Sequence, residues 1–130
     1  MGLGFAKAQS KTEDLQIDKV FSNFWEAKNS VKVELDFQDS EGYYYKSLVT
    51  ENNPEAISFA KTCIKKDKKE AQKVKEVYAE GKLATIYLTL STKGEFYRFI
   101  LFNDNGKGKM TLVYIESENK DILKIILKKQ

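Results

Sequence analysis

The chain has 130 residues, 42% of them hydrophobic, and its 22 basic and 19 acidic residues give a net charge of +3. That length and apolar content suit one globular domain and argue against disorder over most of the chain. Every basic residue except Arg98 is a lysine, and acidic residues interrupt the lysines. The planar, bidentate groups that read nucleic acid are therefore scarce, and nucleic acid is not an expected partner.

Residues 1–8 read Met-Gly-Leu-Gly-Phe-Ala-Lys-Ala. Ala6 and Ala8 occupy the small-residue pattern that signal peptidase cuts after, which would make Gln9 the new first residue. The stretch lacks a basic start and a full apolar segment, so we expect the remnant of a signal peptide. A disordered cytosolic N-terminus is the alternative. Residues 9–130 then form a single domain. No cysteine follows the cut, so a lipid anchor is not expected, and lone Cys63 is expected to be buried and unreactive. The longest apolar run in the body of the chain, Phe99-Ile100-Leu101-Phe102, falls far short of the ~20 residues a membrane-spanning helix needs.

Leu15 to Lys28 has helical spacing, with Ile17, Val20, Phe21, Phe24 and Trp25 on one face. Ser10 with Glu13, or Asp14 alone, is the expected cap. Val31 to Phe37 alternates apolar and charged residues as a strand does, Asp39 to Gly42 is turn chemistry, and Tyr43 to Thr50 runs back as a second strand. Asn53-Pro54-Glu55 starts a helix whose Ile57, Ala60 and Ile64 share a face. The lysine-rich stretch Lys65 to Glu70 interrupts the apolar stripe, which resumes at Ala71, Val74, Val77 and Tyr78 before a stop at Gly81. The spacing predicts one long helix or two helices broken near Asp67.

Leu83 to Ser91, Glu95 to Asn103 and Lys109 to Glu118 are three strands, and Asn105-Gly106 is a strong hairpin signal. Asn119 caps a final helix whose Ile122, Ile125 and Ile126 are expected to face the sheet. The fold class is α+β: an antiparallel sheet of about five strands with helices mainly on one face, in the order α-β-β-α(α)-β-β-β-α. The expected core is Phe21, Phe24, Val33, Leu35, Ile57, Ile64, Ile86, Leu88, Ile100, Val113, Ile122 and Ile126.

The absence of histidine removes serine–histidine and cysteine–histidine nucleophilic sites and the commonest transition-metal ligand. No glycine-rich phosphate loop is present. Asn103 to Lys109 faintly resembles a calcium loop, but its alternate positions end in Lys107 and Lys109, which offer no oxygen. No metal and no cofactor are expected. The acids Glu34, Asp36, Glu51, Glu95 and Glu116 carry no mark of catalysis, so no catalytic residue is named.

Within Tyr43-Tyr44-Tyr45, strand alternation puts Tyr43 and Tyr45 on one face and Tyr44 on the other. Tyr43 and Tyr45 are the candidate ligand-binding pair, because tyrosine offers a large face at low ordering cost. The competing reading is a packing ladder beneath the central helices. The group Lys61, Lys65, Lys66, Lys68, Lys69, Lys73 and Lys75 reads as a solvated helix face, and Phe21, Phe24 and Trp25 read as core.

An early Ile17-Asp18-Lys19-Val20-Phe21 helix precedes the Val31 to Phe37 strand. Tyr78-Ala79-Glu80-Gly81-Lys82 leads into the Leu83 strand, and the chain ends in Leu112-Val113-Tyr114-Ile115-Glu116 and the Ile122 to Leu127 helix. This arrangement resembles the small secreted proteins of Bacteroidetes grouped as domains of unknown function. The resemblance implies export and supplies no functional residues. The expected function is a non-enzymatic periplasmic or cell-envelope binding module for a protein, peptide or glycan. The alternatives are a cytosolic regulatory or inhibitor domain acting by protein contact and, behind it, a hydrolase using carboxylates alone.

Overall fold

A computed structural model describes residues 10–128. The expected signal-peptide remnant, with Ala6, Ala8 and Gln9, lies outside the described residues. The elements are α1 (Ile17–Phe24), β1 (Ser30–Phe37), β2 (Tyr43–Glu51), α2 (Pro54–Lys68), β3 (Ala71–Ala79), β4 (Lys82–Leu90), β5 (Tyr97–Asp104), β6 (Lys109–Ser117) and α3 (Ile122–Lys128). The six strands form one sheet in the order β1-β2-β6-β5-β4-β3, antiparallel throughout. A hairpin, β1–β2, is thus joined through α2 to a four-strand meander whose last strand returns to pair with β2. Among the described residues, no helix is long and apolar enough to cross a membrane.

Alternation along the strands divides the apolar residues between two faces. Tyr44, Leu48, Ile86, Leu88, Ile100, Phe102, Leu112 and Tyr114 point to the side covered by α1 and α2, where Ile17, Phe21, Cys63 and Ile64 meet them. Tyr43, Phe99, Val113 and Ile115 point the other way and meet Ile122 and Ile126 of α3. The α+β class holds, with two helices on one face and the third on the opposite one.

Four expectations need correction. First, Ala71 to Ala79 is an edge strand and not a helix, so the sheet has six strands where about five were expected. Val74, Val77 and Tyr78 fit helical spacing by accident. An edge strand with most side chains in solvent shows little alternation to betray it. Glu80 and Gly81, both at positive φ (53° and 79°), form the two-residue turn into β4. Second, α1 is capped from elsewhere in the chain. Asp67, at the end of α2, accepts the Gln16 and Ile17 amides at 2.8 and 2.9 Å. Third, Ile125 is 41% exposed, while Leu123 packs toward the sheet in its place. Fourth, Phe24, Val33, Leu35 and Ile57 are only partly buried; the β1 pair lies on the edge strand opposite β3. The other eight expected core residues are buried.

Candidate functional site

Helix α3 begins where Asn119 Oδ1 accepts the Asp121 amide at 2.9 Å. At seven residues it is too short to cover a six-stranded sheet. Beneath it lies a cavity of about 200 Å3. Phe99 and Leu101 of β5 and Val113 and Ile115 of β6 supply the sheet wall, and Leu123 and Ile126 supply the helix wall. Tyr45 of β2 and Tyr87 of β4 flank it, with the Thr89 and Thr111 side chains as its polar groups. Strand order brings these residues together. Sequence-distant β2 and β4 lie on either side of the β6–β5 pair, and only residues of one parity face α3. A concave, largely apolar site with a few hydroxyls is the usual form of a small-molecule pocket.

The two candidate tyrosines share this face and diverge in role. Tyr45 is half-buried in the cavity wall. Tyr43 is buried, with its ring edge-on to Phe37 at 5.5 Å between centroids. Both therefore lie away from the central helix α2. Tyr44 faces α1, stacks edge-on against Tyr114 at 6.2 Å and donates to the Glu34 carboxylate. Burial and then that hydrogen bond push its phenol pKa well up. Sequence reading missed Tyr87, Leu123 and the sheet-wall residues as site components. Parity marks them as sharing a face, but only strand order makes them neighbours.

The opposite face holds a polar network around Arg98, the one arginine. Its Nε donates to Tyr114 Oη at 2.6 Å, Nη1 and Nη2 each donate to Asp14 at 2.8 Å, and Nη2 also reaches the Lys11 carbonyl at 3.2 Å. Tyr114 donates onward to buried Glu116 at 2.7 Å. Burial works against the Arg98 charge, but the hydrogen bonds it donates to Asp14 and Tyr114 outweigh it and raise the pKa. The Arg98 hydrogen bond holds the Asp14 carboxyl below its usual range, whereas burial raises Asp67. These two acids line one polar cleft. Asp14 is held by Arg98, and the two Asp67 oxygens are held by the Gln16 and Ile17 amides at the start of α1. The arrangement is a brace tying the segment before α1 to the sheet.

Of the other acids, Glu34, Asp36, Glu51 and Glu95 are exposed, and among the described residues no group of three or more could hold a metal ion. Cys63 is buried, and burial raises its thiol pKa. The lysine group is split: Lys61 pairs with Asp104 at 2.9 Å and Lys68 with Glu76 at 2.7 Å, while Lys73 and Lys75 belong to β3.

No curated protein and no solved structure matches the chain. A family of unknown function, DUF6108, matches residues 2–126, and the chain belongs to that family.

Proposed function

We propose that the chain is a non-enzymatic binding module of the cell envelope, of the kind the secreted Bacteroidetes resemblance implies, and that it seats the apolar part of a small ligand beneath α3. The observation that carries this reading is the cavity of about 200 Å3 between α3 and the sheet. An engineered apolar cavity of roughly 150 Å3 in another protein takes up benzene, so this one has room for a real ligand. Its apolar walls favour a hydrocarbon over a glycan or a polar peptide. The small-residue pattern at Ala6 and Ala8 supports export.

Protein purified from its native envelope should release one small molecule per chain on denaturation, read by mass spectrometry. Val113→Phe, which fills the cavity, should abolish that. A native chain that releases nothing and takes up no apolar probe in solution overturns the reading. One observation favours the cytosolic protein-contact alternative: the edge strand β3 exposes Val74 and Tyr78. The mass of the mature N-terminus separates the two, since an intact Met1 chain recovered from the cytosol removes the export reading. The carboxylate-only hydrolase has no comparable support, because Asp14 and Asp67 are engaged in the brace.

A further inference from the structure

The β3–β4 register sets Lys73 opposite Thr89 and Lys75 opposite Tyr87. Directly opposite residues of an antiparallel pair share a face, and both Thr89 and Tyr87 line the cavity. The two lysines therefore rise from the edge strand beside it, with Lys75 Nζ 5.7 Å from the Tyr87 ring centroid. On that face, every second residue from Tyr43 to Val49, Thr85 to Thr89, Tyr97 to Asn103 and Thr111 to Ser117 is uncharged. Neither lysine pairs with a carboxylate among the described residues. The ion pairs of the neighbouring lysines, Lys61–Asp104 and Lys68–Glu76, are made by α2 on the opposite side. An apolar hole flanked by two cations without acidic partners is complementary to a hydrocarbon chain that ends in an anion.

We infer that the ligand is a single-chain anionic amphiphile, with its alkyl chain under α3 and its anionic head at Lys73 and Lys75. This rests on the cavity being the ligand site. Scaling from benzene in roughly 150 Å3, the cavity holds a chain of on the order of eight carbons. Each methylene taken out of water tightens binding about fourfold until the cavity is full. The head stays at the rim, where both lysines are exposed, so the anion keeps much of its hydration and desolvation costs little. Lysines on an edge strand also discourage association with another strand, but that role does not discriminate an anion from an alcohol of the same chain length.

The test is calorimetric titration of the full chain with sodium octanoate and with octan-1-ol at low salt. Octanoate should bind roughly 3- to 10-fold tighter, the gain expected of one or two exposed ion pairs. Lys73→Gln/Lys75→Gln should abolish that difference and leave octanol affinity unchanged. Both substitutions are at exposed positions, and an unchanged urea midpoint verifies folding. Equal binding of the two probes to the unsubstituted chain overturns the anion inference and spares the cavity. A preference that survives in the double variant overturns the assignment to these lysines. Binding of neither probe overturns the cavity reading itself. Octyl phosphate, in a further arm, distinguishes head groups: tighter binding than octanoate assigns a phosphate, and weaker binding a carboxylate.

Discussion

Replacing Arg98 by alanine probes the brace beneath the segment that leads into α1. The Arg98 side chain is 5% exposed and Asp14 is 49% exposed. Once the guanidinium is gone, Asp14 regains water, so the bidentate pair counts for about 1 kcal/mol and not the several a fully buried pair would command. The lost bond to Tyr114 costs about 1 kcal/mol, while the Tyr114 hydroxyl keeps its bond to Glu116. Burial of the aliphatic stem adds about 1–2 kcal/mol. Arg98→Ala should therefore destabilise the chain by about 3–4 kcal/mol and Asp14→Asn by about 1 kcal/mol, with a coupling of about 1 kcal/mol in the double variant. Urea unfolding at pH 7 reads all three, with equal m-values as the check that two-state behaviour persists. An Arg98→Ala loss below about 1 kcal/mol, or a coupling indistinguishable from zero, would refute the brace.

Three further expectations concern single positions. Burial raises Asp67 above the ordinary 3.8, against the pull of the Gln16 and Ile17 amides. A raised folded-state pKa adds stability that is complete below the unfolded value and disappears as pH rises through the folded one. The stability of the natural chain relative to Asp67→Asn should therefore be highest below pH 3.8 and decline above it; a flat difference from acid to neutral pH contradicts the burial. Tyr43→Ala should cost about 3 kcal/mol, in line with aromatic truncation in a core. Tyr45→Ala should cost about 1 kcal/mol and weaken octanol binding, and the reverse ranking in unfolding and calorimetry would misplace the cavity wall. Cys63 should react with a thiol reagent only at the rate of unfolding, since burial both shields the sulfur and raises its pKa; fast labelling of the native chain contradicts this.

Much of the fold was legible because its signals are local. The apolar–charged alternation of Val31 to Phe37 marks β1, Asn53-Pro54 marks the start of α2, and Asn105-Gly106 marks the β5–β6 hairpin. Strand β3 was illegible because it is an edge. Most of its side chains face solvent, and the residues that remain apolar fall at helical spacing. The Asp67 cap was illegible for a different reason: its amide partners lie about 50 residues away in sequence. A still longer separation hid the role of Arg98, whose partner Asp14 is 84 residues off. Parity placed Tyr43 and Tyr45 on one face. Only the position of α3 and the neighbourhood of β2, β6, β5 and β4 made Tyr45 a wall and Tyr43 a core residue.

The claim on which the functional account depends is that a pre-formed apolar cavity exists between α3 and the sheet. Crystals of the chain pressurised with xenon test it whatever the natural ligand is, because a dry apolar cavity of this size binds the gas. The account predicts one well-occupied xenon site in contact with Phe99, Val113 and Ile126, lost in Val113→Phe crystals. The absence of xenon there, with α3 packed down onto Val113 and Phe99, would contradict it.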